Sequence, residues 1–188
     1  AIRADFKRPL MTDYFSEHRF DPRLSVDDVR VRWAAANEQL ARTGIVSRRL
    51  CLGIGGDRML GWFDAPAVEV LRETLQGLAG GSVVGLWTGS IHDGPLADRF
   101  WPSANVVVER AFDEPADLDA LQAVEDGAAW CLEAHNVTFA RTFFAADRLR
   151  MKCLYHAPDA ESVRLAQREA KMPFADVWAF EWLEPPFD

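Results

Sequence analysis

Hydrophobic and polar positions change period several times along the second part of the chain. Residues 105–112 form a β-branched run ending in charge, which predicts a strand. Asp113-Glu114-Pro115-Ala116-Asp117 then supplies a turn and an N-capping acid, and apolar residues recur at helical spacing over 118–134. Residues 137–145 are rich in Thr, Phe and Val, Asp147-Arg148 makes a turn, and alternation resumes over 151–157, which predicts a hairpin. A helix over 159–171 follows Pro158 and stops before Pro173; a last strand, 176–183, carries Trp178, Phe180 and Trp182 on one face. The same order occurs earlier: strand 14–20, helix 26–43, hairpin strands 45–54 and 58–65, helix 66–78, strand 83–88.

Residue identities repeat with the pattern. Phe20-Asp21 returns as Phe112-Asp113, Arg58-Met59 as Arg150-Met151, and Ala65-Pro66 as Ala157-Pro158, always 92 residues apart. A constant displacement preserves loop lengths as well as residue types, which points to an internal duplication. Each unit reads βαββαβ, the split βαβ or ferredoxin-like order, with two helices covering one face of an antiparallel sheet. The expected architecture is therefore α+β: two tandem ferredoxin-like repeats packed with pseudo-twofold symmetry, like a dimeric α/β barrel made by one chain. The expected division is an N-terminal arm or expression remnant over 1–10, a first repeat over 11–88, a linker over 89–103 and a second repeat over 104–188. Met11 would make a natural start, and Phe100 and Trp101 in the linker are too large and apolar to leave in water.

Composition narrows the class. The chain has 188 residues, 49% of them hydrophobic, without an apolar run long enough for a membrane helix or a secretory signal. Its net charge of −8 disfavours nucleic acid. Cys51, Cys131 and Cys153 lack CxxC or Cys/His zinc spacing and read as buried small hydrophobes in a reducing, cytoplasmic setting. A monomer or homodimer acting on a small molecule or metal is expected, with no membrane partner. No P-loop, GxGxxG, GxSxG or haem-attachment motif is present, and Gly53-Ile54-Gly55-Gly56 is a hairpin turn rather than a phosphate cradle.

The second repeat resembles a known family. Val107-Val108-Glu109-Arg110-Ala111-Phe112, the Cys131-Leu132-Glu133-Ala134-His135 helix end, and Met151-Lys152-Cys153-Leu154-Tyr155-His156-Ala157-Pro158-Asp159-Ala160 with Arg164, Pro173 and Trp178 are similar to the small actinobacterial nickel-binding-protein family. The first repeat resembles it through Glu17, Phe20, Arg49, Arg58-Met59, Ala65-Pro66 and Arg72, but has Leu60, Gly61 and Phe63 where the family pattern has Lys-Cys-Tyr. The resemblance implies a bacterial protein with a ferredoxin-like fold, twofold packing and, as in characterised members, nickel binding.

Strand parity sorts the candidate residues. On the hairpin strand of the second repeat, Met151, Cys153, Tyr155 and Ala157 face the helices. Arg150, Lys152, Leu154 and His156 face the open side, as do Arg58, Leu60, Trp62 and Asp64 in the first repeat. On the first strands, either Glu17 and Glu109 or His18 and Arg110 share that face. In the second case His18 and Asp64 form a candidate general-base dyad, mirrored by Arg110 and His156. The candidate catalytic set is thus His156, Glu109, Arg110, His18 and Asp64, and the candidate ligand-binding set is Arg58, Trp62, Arg141, Arg150, Lys152 and Trp178. For nickel or another divalent metal, the ligands on offer are Glu17, His18, Glu109, His135 and His156, which no HxxxH or HxH spacing brings together. Two functions follow: a protein binding a small ligand or divalent metal between the repeats, or an isomerase, cyclase or lyase without a redox cofactor, acting there on an aromatic or polyketide-like compound.

Overall fold

A computed structural model describes residues 12–78 and 81–183; the expected arm over 1–10, Met11 and the chain end past 183 lie outside them. The first half comprises β1 (Thr12–Arg19), α1 (Val26–Arg42), β2 (Val46–Gly53), β3 (Arg58–Ala65), α2 (Val68–Leu78) and β4 (Ser82–Asp93). A short helix α3 (Ala97–Phe100) and a 3-10 turn (Trp101–Ser103) lead into the second half. That half comprises β5 (Val106–Ala111), α4 (Leu118–Gly127), α5 (Ala129–Ala134), β6 (Thr138–Ala145), β7 (Arg150–His156), α6 (Ala160–Glu169) and β8 (Asp176–Leu183).

The eight strands close into one antiparallel barrel in the order β1-β3-β2-β8-β5-β7-β6-β4. Closure removes the sheet edges that either half alone would expose. Two seams join the halves. Leu50 to Gly53 of β2 pair with Leu183 to Phe180 of β8, and Gly89 to Asp93 of β4 pair with Ala145 to Arg141 of β6. The second seam explains why β4 runs through residues expected in the linker. It also fixes Gly89, where an added Cβ would stand 2.1 Å from the Phe144 carbonyl oxygen.

Alternation along each strand sorts side chains into three layers. Phe15, Trp87, Val107, Phe143, Leu154 and Phe180 fill the barrel, joined by Trp62, Trp101, Trp178 and Trp182. Tyr14, Met59, Phe63 and Leu52 face outward onto α1 and α2; Val106, Val108, Cys153 and Tyr155 face outward beneath the helices of the second half.

The helices differ in docking. Ser25 caps α1 in a reciprocal capping box with Asp28, and Val29, Trp33, Ala36 and Leu40 lie buried along its inner stripe. The single helix expected over 118–134 is instead broken at Gly127, a poor helix residue with no neighbour to pack on. Asp117 caps α4, yet α4 has no buried residue.

Candidate functional site

Strand parity places Glu17 and Glu109 inside the barrel and turns His18 and Arg110 towards the helices. At the end of the barrel where β1 and β5 finish, Lys152 of β7 reaches both carboxylates. Its Nζ lies 2.9 Å from Glu17 Oε2 and 3.0 Å from Glu109 Oε2. Each glutamate also accepts an indole N–H, from Trp87 to Glu17 Oε1 at 3.0 Å and from Trp178 to Glu109 Oε1 at 2.6 Å. The result is an ammonium held between two carboxylates, one from each half, each braced by a tryptophan.

Lys152 is 5% exposed, and both glutamates are about four-fifths covered. Burial pushes the Glu17 carboxyl up, but the Lys152 charge and the hydrogen bonds from Lys152 and Trp87 outweigh it and hold the group below the usual carboxylate range. Arg58 and Arg150 stand at the rim. Arg58 is bound to Asp176 and lies 5.6 Å over the Trp178 ring, whereas the Arg150 contact with Asp147 is long, at 3.8 Å, and its charge also helps to lower the Glu17 carboxyl. A recess of about 370 Å³ opens here, lined by Glu17, Glu109, Phe112, Leu149, Arg150 and Lys152. Lys152 is a triple donor, and the glutamates account for two of its hydrogens.

The opposite end is closed by aromatic rings. Trp101, brought back by the 3-10 turn, packs edge-on against Trp62 and Trp182, and Arg141 lies 4.0 Å over its ring while bound to Asp93. Trp62 donates its indole N–H to Asp13 at 2.7 Å. His156 Nδ1 meets the Ser103 carbonyl at 2.8 Å and its ring stacks near Phe100. Asp64 is bound by Arg48.

The residues singled out from the sequence therefore divide among separate places. Arg58, Arg150, Lys152, Trp178, Glu17 and Glu109 gather at the charged end. Trp62, Arg141, Asp64 and His156 belong to the aromatic end. His18 and Arg110 lie outside the barrel wall beneath the helices: His18 contacts Ser16, Phe20 and Trp33, and burial lowers its pKa to about 4. His135 sits at the end of α5, 3.1 Å from Glu169. The His18–Asp64 dyad is accordingly not formed, and the five candidate catalytic residues do not converge.

Nor do the five candidate metal ligands. Among the described residues no three or more His, Cys, Asp and Glu side chains come together as a metal site. Between Glu17 and Glu109, where a cation would bridge the halves, the Lys152 ammonium already stands.

Sequence reasoning missed Trp87 as the partner of Glu17. A bulge in β4 hides it: Glu17 pairs with Gly85 and His18 with Val83, so Val84 is an extra residue. Past that point the halves correspond with a displacement one residue shorter, and Trp87 matches Trp178 rather than Ala179.

Residues 107–179 match the family model described as "Nickel responsive protein SCO4226-like". No curated protein matches. Solved structures share the fold across nearly the whole chain. A mutant chlorite dismutase from Candidatus Nitrospira defluvii is 14% identical with a TM-score of 0.52, covering 97% of this chain and 96% of its own. A heme-binding protein from Thermus thermophilus is 10% identical with a TM-score of 0.51, covering 93% and 92%. At such identities the likeness is one of fold. It corrects the cofactor expectation of nickel or another divalent metal without haem. The fold is shared with a haem-binding protein, and non-covalent haem needs an axial side chain and a slot, neither of which leaves a sequence motif.

Proposed function

We propose that the chain is a duplicated pair of ferredoxin-like repeats that binds a small organic anion at the charged end of the barrel, between the two halves. The observation that carries this is the Lys152 ammonium held by one glutamate from each half beneath a 370 Å³ recess. The anionic group pairs with Arg150, whose existing ion pair is long, and accepts the third hydrogen of Lys152; Phe112 and Leu149 of the recess supply apolar surface. Binding rather than turnover is the reading, because the candidate acid–base groups stand apart. Native mass spectrometry of protein purified without added ligand tests it. A bound mass in the wild type that is lost in Arg150→Ala supports the site; an empty wild type that no organic anion stabilises thermally, or a mass retained in the variant, overturns it.

One observation favours a second reading, in which the ligand is haem. His92 of β4 lines a cavity of about 630 Å³ together with Phe144, Leu118 and Arg148, and its Nε2 is held by Ser90 Oγ at 2.7 Å. His92 and Arg148 would hold the group, His92 through a ring nitrogen and Arg148 through an acidic substituent. Haem, when bound, supplies redox chemistry at its iron. Titration with hemin should then give a Soret shift that His92→Ala removes; an unshifted spectrum in the wild type contradicts this reading.

A further inference from the structure

Arg58 and Arg150 stand 92 residues apart, one from each half, at the charged end of the barrel. Each has a recess nearby. In the second half Ala111, Phe112, Leu149, Arg150 and Lys152 line the recess of about 370 Å³. The residues 92 positions earlier are Arg19, Phe20, Asp57, Arg58 and Leu60, and the first three of these line a recess of about 460 Å³ in the first half. Among the described residues Arg58 is absent from that lining and stands instead with Gly53, Asp176 and Trp178. One arginine faces its recess; the other has turned away.

Arg58 turns because it has a carboxylate to reach and a path to it. Asp176 stands opposite Glu109 in the β5–β8 register and binds the Arg58 guanidinium. The Arg58 side chain passes over Gly53, where an added Cβ would lie 2.9 Å from Arg58 Cγ. Neither condition recurs in the second half. Opposite Glu17 in the β1–β4 register, in the place that Asp176 holds opposite Glu109, stands Gly85, which offers no carboxylate. The residue 92 positions after Gly53 is Ala145, which carries the Cβ that would block the path. Arg150 therefore keeps only its long contact with Asp147, and its side chain, 40% exposed, lines the recess.

Resting on the anion site proposed above, we infer that only one of the two equivalent places binds, that its ligand is a monocarboxylate with an apolar body, and that Gly85 and Ala145 are the positioning residues that leave Arg150 to it. Charge sets the valence. Glu17 and Glu109 outweigh Lys152 by one charge and Arg150 restores neutrality, while Arg110, also on the lining, is bound to Gln167 and the Pro173 carbonyl and faces Glu125. A dianion would add a second negative charge beside two carboxylates. The first half supplies the pattern for the head group: there the chain gives Arg58 its own carboxylate, Asp176, beside Glu109. In the second half the ligand brings one, and Phe112 and Leu149 take its apolar body. The first half has Asp57 and Leu60 where the second has Leu149 and Lys152, so it lacks both the apolar wall and the ammonium.

Calorimetric titration with benzoate, and with phenyl phosphate as a mostly doubly charged comparison at neutral pH, tests this. The wild type should bind benzoate at least about tenfold more tightly than phenyl phosphate. Equal or tighter binding of the phosphate, or no binding of benzoate, overturns the inference without any variant. Gly85→Asp/Ala145→Gly gives the second half the residues of the first and should draw Arg150 off the recess, weakening benzoate about tenfold while near-ultraviolet circular dichroism reports a packed fold. Gly85→Asp alone leaves the path blocked by Ala145 and should weaken it by under about threefold. An equal loss with and without Ala145→Gly would mean simple charge repulsion and overturns the positioning role, as does unchanged affinity in the folded double variant. Arg150→Ala separates this inference from the anion site itself. Benzoate binding that Arg150→Ala abolishes but the double variant leaves intact keeps the site and removes the inference; binding indifferent to Arg150→Ala overturns both.

Discussion

The two halves wind the same course around one barrel, yet they spend their interior positions differently. In the first half His18 and Trp33 form a neutral aromatic contact, and Leu60 points into the barrel. In the second half the corresponding positions are Arg110, Glu125 and Lys152, all charged and all largely buried. Apolar side chains stabilise by being removed from water. Charges in the same places bring a desolvation cost that partners only partly offset. The first half thus fills these positions with apolar and aromatic side chains, and the second with charges.

Truncation at equivalent helix positions should expose this contrast most strongly. Trp33→Ala removes a buried indole from the α1 stripe and should cost about 3–5 kcal/mol in denaturant unfolding, whereas Glu125→Ala, which removes only a long 3.8 Å contact from the buried Arg110, should cost about 1–2 kcal/mol. Equal losses would mean that α4 is docked as firmly as α1.

Acid should act next, and through the first half. His18 has a folded pKa of about 4 because burial disfavours its charged form, while an unfolded histidine titrates near 6.5. The unfolded chain therefore binds the proton more readily. The stabilising contribution is complete above pH 6.5, falls as pH drops from there to about 4, and amounts to about 3 kcal/mol in all. Urea unfolding between pH 7 and 4 should show this slope in the wild type and a flatter one in His18→Phe. Glu17 also has a depressed pKa, so its contribution is present above the unfolded carboxylate value and is lost at still lower pH.

A smaller effect is expected from Lys152→Leu, which copies Leu60 of the first half. It leaves Glu17 and Glu109 facing each other without the ammonium and should cost about 2 kcal/mol at neutral pH, the partial exposure of both carboxylates limiting the loss. Adding Glu17→Gln and Glu109→Gln should recover most of it.

Much of this layout is visible in the chain itself. The strand–helix order comes from periodicity, and alternation along β7 separates Lys152 and Leu154 from Cys153 and Tyr155. Three features were beyond that reasoning. Residues 89–93 join β4 because β6 offers them partners, a long-range fact with no local signature. The Val84 bulge shifts the correspondence that would have paired Trp87 with Trp178. The nearness of Arg110 to Glu125 depends on how α4 lies over the sheet, which helical spacing alone does not determine. The candidate site was legible as a set of residue types on one strand face, but parity does not say which end of a barrel a residue occupies. His156 and Lys152 share a face of β7 and serve opposite ends.

The central claim is that the Glu17–Lys152–Glu109 cluster is kept for ligand recognition rather than for stability. The variant Glu17→Gln/Glu109→Gln/Lys152→Leu tests it when unfolding free energy and native mass are measured on the same preparation. Replacing buried charges with neutral groups of similar size is often stability-neutral or better. The account predicts a variant as stable as the wild type that no longer holds a bound mass; a variant that unfolds far more easily, or that keeps the ligand, would contradict it.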